Sequence, residues 1–424
     1  MEKSGDEGGK GAASKAAEVL VSSFRVTLDP ACMDAPSMIL NTSSVDASVR
    51  SAAVRGPARS LVSSIRSADG SLREDFKRSG DEVDLHHGPA QVSEWYNTTA
   101  NLLAEVMGTG LLSLPSTVAG LGYILGSISI VTFAVAIFYS GSVLAKVKNR
   151  YAKHVLSYGD MAFILHGKPF EVATRWLLYA NWYFLMCYYT LALASSLQAA
   201  FYWNESLCFW MWGLIGCAIL LPFIQLRTLH AISYMSFAST VSIIAAVAVI
   251  VASFLTGNTE EGANYVPATL GVPKQSFLSG YTNLANIIFA FQGQSMFYEM
   301  AAEMKNPRHF AVPSLLTAQV IMCFFYLFTA LIAYTYGGQN VNGFILYSLP
   351  QNKLRTVCAI LIAFHILVAY VITGQPLVYK VHEAISKETL HTGGVKAASI
   401  HFGITSTLLV GAYVVSNLIP FFAD

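Results

Sequence analysis

From Trp95 onward the chain is a succession of nine apolar runs, at about 95–120, 123–146, 172–200, 206–225, 230–256, 280–302, 311–336, 354–380 and 399–421. A helix rises about 1.5 Å per residue, so runs of about 20 residues reach across the ~30 Å hydrocarbon layer of a bilayer. Backbone amides in lipid must be paired within their own segment, and an alternating strand pattern is lacking. The expectation is an all-α, multi-pass integral membrane bundle. Composition agrees: 54% of residues are hydrophobic and 12% charged, about half of the ~25% charged fraction usual in soluble domains.

The 26 basic and 25 acidic residues leave a net charge of +1, so no long-range field points to nucleic acid. The six cysteines, Cys32, Cys187, Cys208, Cys217, Cys323 and Cys358, are scattered and form no CxxC or Cys/His cluster. They read as small buried apolar residues, without a metal or a redox role. Residues 1–94 are rich in Ser, Gly, Ala and charged residues, with no sustained apolar period and no signal-peptide core. That composition predicts a disordered cytosolic tail, followed by a transmembrane domain over 95–424.

With the tail inside, the cytoplasmic connections gather Lys146, Lys148, Arg150, Lys153, Lys168, Arg175, Arg227, Lys305, Arg308, Lys380, Lys387 and Lys396. The opposite connections hold Lys274, Lys353 and Arg355. This bias predicts a cytoplasmic N-terminus. It also puts the sequon Asn204-Glu205-Ser206 on an outside loop, which makes Asn204 a glycosylation candidate.

Two apolar runs are interrupted. The first contains Gly108-Thr109-Gly110 with Pro115 beyond, and the sixth contains Phe291-Gln292-Gly293-Gln294. Glycines in membrane helices serve either close packing or a break in the helix. A break is tolerated at that depth only where it faces protein or a watery cavity, and it offers free amides and free carbonyls, suited to the two ends of an amino acid. Interruptions at corresponding places in spans one and six point to a five-plus-five inverted repeat, about 95–256 and about 280–424, with a site between them.

Asn101, Glu105 and Gly108 are spaced to share one helix face. A carboxyl in the membrane is costly when charged, so Glu105 is either a proton carrier or a hydrated group near the interface. Glu299 and Glu303 precede Lys305 and Arg308 and read as a structural ion cluster, with Glu299 also an ion-coupling candidate beside Asn101 and Glu105. His365 could relay protons, but the reading favoured is a hydrogen-bonded neutral histidine between helices. Trp176, Trp182, Trp203, Trp210 and Trp212 read as interfacial anchors.

These features, taken in order, resemble the amino acid/auxin permease family over roughly residues 95–424. The carrying pieces are Asn101 with Gly108-Thr109-Gly110-Leu111-Leu112-Ser113-Leu114-Pro115, and Ser157-Tyr158-Gly159-Asp160-Met161-Ala162 through Gly167-Lys168-Pro169. Leu221-Pro222 with Leu226-Arg227, Phe289 to Gly293 with Glu299 and Met304-Lys305-Asn306-Pro307, and Gly374-Gln375-Pro376 complete the set.

The resemblance implies a leucine-transporter-like fold and a substrate site lined by Gly108, Thr109, Gly110, Leu111, Phe291, Gln292 and Gly293. It implies amino-acid transport, by proton or sodium symport, in a plasma or vacuolar/endosomal-type membrane, with no cofactor and no enzymatic activity. Family members have about eleven spans, so a chain with nine is expected to be truncated. An amino-acid sensor or a non-transporting homologue is the alternative reading.

Overall fold

The computed structural model describes residues 91–418, apart from 152–154, 205, 227–228, 258, 260–264 and 391–393. The tail expected over 1–94 therefore lies almost wholly outside the described residues. The described residues are helical, and their one β-contact is an isolated parallel bridge between Ser93 and Met304.

The helices, in chain order, are α1 (Trp95–Val106), α2 (Thr109–Tyr151), α3 (Tyr158–His166), α4 (Lys168–Ala200), α5 (Phe209–Phe223), α6 (Leu229–Leu255), α7 (Phe277–Ala290), α8 (Phe297–Glu303), α9 (Leu316–Gly337), α10 (Lys353–Ile385), α11 (Lys387–Leu390) and α12 (Val395–Leu418). α2 is two limbs, because Gly122 (φ 76°, ψ 168°) turns the chain through a non-helical step. A Cβ there would lie 2.2 Å from the Gly271 carbonyl oxygen, so glycine is required both by the positive φ and by the close approach. The amides after the turn donate to the 269–270 segment, Tyr123 N to Thr269 O at 3.2 Å and Ile124 N to Leu270 O at 3.2 Å.

The bundle is an integral membrane protein by its apolar helices. Five of the described helices are long and apolar enough to cross a bilayer: Gly110–Arg150, Tyr234–Leu255, Pro307–Asn340, Lys353–Ile385 and Val395–Leu418. The difference from nine apolar runs has local causes. α1, α7 and α8 are shortened by breaks, α4 carries many tyrosines, tryptophans and polar residues, and α5 has only 15 residues.

α10 is the most enclosed of these, packed on α4 and α6, while α7 and α9 pack on α2. Sequence motifs explain local geometry at the entry to α4. Ser157 caps α3, its Oγ accepting from Asp160 N at 3.3 Å while Ser157 N donates to Asp160 Oδ2 at 3.1 Å. Gly167 (φ 79°) then turns the chain, and Pro169 sits in the first turn of α4. Arg175 ties the two helices, 2.6 Å from Asp160 Oδ1 and 2.9 Å from Glu171 Oε1.

Two expectations need correction here. Trp182 and Trp212 are buried, while Trp176, Trp203 and Trp210 are exposed, so only the latter three have the placement of interfacial anchors. Cys208 is exposed, unlike buried Cys187 and Cys358. For the helical tryptophans hydropathy fixes that a residue lies in a span, but the rotation of the helix decides which way it faces; Trp203 and Cys208 lie in the connection between α4 and α5.

Candidate functional site

Helix α1 ends at Val106, two residues intervene, and the chain becomes helical again at Thr109. Helix α7 ends at Ala290, with Phe291, Gln292 and Gly293 outside regular helix before a short 3₁₀ turn, Gln294–Met296, leads into α8. Both expected breaks are therefore present, and both halves of each interruption are helical.

The two breaks touch. A Cβ on Gly110 would lie 2.5 Å from Ala290 Cα, and a Cβ on Gly293 would lie 2.6 Å from Val106 Cγ2. These glycines thus serve close packing as well as the break: it is the packing of one break on the other that demands them.

Every helix end leaves carbonyls without an intrahelical partner, and here tyrosine hydroxyls meet them. The Tyr189 hydroxyl donates to Glu105 O at 2.9 Å. The Tyr326 hydroxyl lies 2.9 Å from Val106 O and 2.7 Å from Ala290 O, sharing its proton between the last carbonyls of α1 and α7. Its ring packs edge-on against Phe291, centroids 4.8 Å apart. Gln292 reaches the other way and donates through Nε2 to Asn181 Oδ1 on α4.

The remaining expected residues fall around this centre. Leu111 is fully buried, as is Phe291. Asn101 and Glu105 are buried on the α1 side, and Asn101 Oδ1 and both Glu105 carboxyl oxygens lack a hydrogen-bond partner. Thr109 opens the second half of the first interruption.

Glu299 lies in the first turn of α8, with one carboxyl oxygen unpartnered. Lys305 pairs with Glu94 at 2.8 Å and Lys380 with Glu383 at 2.8 Å. The expected cluster of Glu299 and Glu303 with Lys305 and Arg308 is thus differently partnered. Asn204 is half-buried on the α4–α5 loop, its Oδ1 accepting from Ser206 Oγ at 2.7 Å.

Residues the sequence reading did not assign complete the centre: Tyr189, Tyr326, Asn181, and Ser239 beside His365. A lone asparagine in an apolar run, as at Asn181, is a usable signal. A tyrosine is not, because its ring suits a membrane helix whether or not its hydroxyl has work to do.

Chemically, the centre brings together the carbonyl ends of two helices and the amide start of a third. Such an arrangement is complementary to a small ligand carrying both charges. Two interrupted helices thus touch at their breaks inside an all-helical membrane bundle. The model of the transmembrane amino acid transporter protein family matches residues 91–424, and the chain belongs to that family.

Among its relatives are amino acid transporter AVT1C of Arabidopsis thaliana, 25% identical over 376 residues, covering 85% of this chain and 64% of that protein. The N amino acid transport system protein of Neurospora crassa is 22% identical, with 78% of this chain and 71% of that protein covered. The chain thus spans somewhat under two thirds of the length of the Arabidopsis relative. In architecture it is similar to a Na⁺-coupled sialic acid symporter in a substrate-bound outward-open state, with a TM-score of 0.51 and 10% identity, covering 85% of this chain and 80% of the symporter.

Proposed function

We propose that the chain carries amino acids across a membrane by alternating access around the two touching breaks, driven by a proton or sodium gradient. The observation that supports this most is the meeting of the α1 and α7 ends, bridged by one tyrosine hydroxyl at Val106 O and Ala290 O. Carbonyls held there receive an ammonium, and the amides opening at Thr109 receive a carboxylate. Gly108, Thr109, Gly110, Leu111, Phe291, Gln292 and Gly293 line the site in this reading. The names of the relatives, which are amino acid transporters, favour the same substrate class.

The proposed topology is nine crossings with a cytoplasmic N-terminus, a tail over 1–94, and two repeats at about 95–256 and 280–424. The basic residues of the connections support the orientation, and it leaves Asn204 outside. The membrane of residence is of plasma or vacuolar/endosomal type. Glu105 is the proposed proton carrier: a buried unpaired carboxyl costs several kcal/mol as an anion, and both of its oxygens lack a hydrogen-bond partner.

Uptake of labelled amino acids into proteoliposomes, first under an inward proton gradient and then under a sodium gradient, tests this. Gradient-driven accumulation of amino acids supports the reading and names the ion. A chain that neither takes up nor binds any amino acid refutes it.

A further inference from the structure

His365 sits on α10, fully buried, and its two ring nitrogens have different surroundings. Nδ1 lies 2.8 Å from Ser239 Oγ and 3.2 Å from Ser239 O on α6. A backbone carbonyl can only accept and a serine hydroxyl can do either, so this pair of contacts suits a proton on Nδ1, with Nε2 then the acceptor of the neutral ring. Nε2 has no hydrogen-bond partner. The favoured expectation of a hydrogen-bonded histidine thus holds for one nitrogen only.

The unpartnered nitrogen lies at the first break. A Cβ on Gly108 would sit 2.5 Å from His365 Nε2 and 2.8 Å from Cδ2. That glycine is what lets the Nε2 edge reach the interrupted backbone. Buried polar groups in folded proteins are nearly always paired, so an orphan acceptor held in one orientation at a helix break asks for a donor that arrives from outside. Glu105, three residues before Gly108, also has unpartnered carboxyl oxygens. An acceptor lone pair and the carbonyl end of α1 complement a cationic donor, and neither complements an anion.

We propose that His365 is a substrate-contact residue, presenting Nε2 at Gly108 to the α-ammonium group of the amino acid. This rests on the proposed function and adds a third helix, α10, to a site otherwise built from spans one and six. Ser239 acts as a positioning residue that holds the tautomer and the ring plane. The carboxylate of the ligand then points toward the amides that open at Thr109.

Equilibrium binding to the detergent-purified 424-residue chain separates the possibilities. The probe is a labelled mixture of the protein amino acids, displaced either by the same amino acids or by the matching carboxylic acids that lack the amine. In the wild type the deaminated acids should compete at least about tenfold less well. In His365→Leu the amino-acid Kd should rise at least about tenfold, and the preference for the amine should largely vanish, with the melting temperature retained.

His365→Gln, which keeps an acceptor, should recover part of both. Ser239→Ala, which keeps the imidazole but frees Nδ1, should weaken binding less than His365→Leu. These two variants carry the test if His365→Leu does not fold. Unchanged affinity and an unchanged amine preference in His365→Leu and His365→Gln overturn the assignment of His365 while leaving the transporter reading intact. A wild-type chain that binds no amino acid overturns both.

Discussion

Gly110 faces the backbone of Ala290, and Gly293 faces a side chain, Val106 Cγ2. A methyl at position 110 can be accommodated only by moving one broken helix off the other, whereas Val106 can turn. Overpacking of this kind costs about 1–3 kcal/mol. Gly110→Ala should therefore lower the melting temperature and abolish amino-acid binding, and Gly293→Ala should do less of both, as read by thermal unfolding and equilibrium binding on the same preparations.

Tyr326 gives a complementary test. Its hydroxyl is the shared donor to Val106 O and Ala290 O, and leaving a buried carbonyl bare costs about 1–3 kcal/mol. Tyr326→Phe keeps the ring against Phe291 but strips the bridge. A clear drop in melting temperature is expected, and an unchanged one would mean that the two carbonyls are satisfied in another way.

Among elements, the join between the start of α1 and the end of α8 is held by backbone. Ser93 N donates to Glu303 O at 3.0 Å and Lys305 N to Ser93 O at 2.9 Å, with the exposed Lys305–Glu94 ion pair alongside. Exposed pairs contribute little and are screened by salt, while the amide bond survives it. Lys305→Ala should leave thermal stability nearly unchanged, and Lys305→Pro, which also deletes the N–H, should lower it.

The hydrogen bond from Lys305 to Glu94 raises the Lys305 pKa above its ordinary value. The small contribution of the pair is therefore complete below the ordinary lysine pKa and fades as pH rises through the raised one. Melting temperatures of the wild type and of Lys305→Ala should accordingly run parallel across neutral pH.

On the scale of the whole molecule, the second limb of α2 turns Ile124, Ile128, Val131, Val135 and Tyr139 outward, all exposed. Their spacing of three or four residues makes one stripe along the helix, the face a membrane protein presents to lipid. A cation at the middle of such a stripe costs about 2.5–3.5 kcal/mol on insertion scales. Val135→Arg should sharply reduce the yield of membrane-inserted protein while Val135→Leu leaves it unchanged, as measured by membrane fractionation. Equal yields would place that face against protein.

The class of molecule, the helices over the apolar runs and both interruptions were legible in the chain itself, because hydropathy and glycine placement are local properties of consecutive residues; the family was legible through the resemblance of its ordered motifs. The Ser157–Asp160 cap and the Gly167–Lys168–Pro169 turn were legible as motifs for the same reason. Tertiary structure alone decided that Gly110 lies on Ala290, that Tyr189 and Tyr326 serve the carbonyls of the breaks, that Trp182 and Trp212 face inward, and that His365 is satisfied on one nitrogen and open on the other. Each of these depends on the rotation of a helix about its axis and on which helices are neighbours. A run of apolar residues in lipid has no polar face by which either could be read, since lipid and protein interior are equally apolar surroundings.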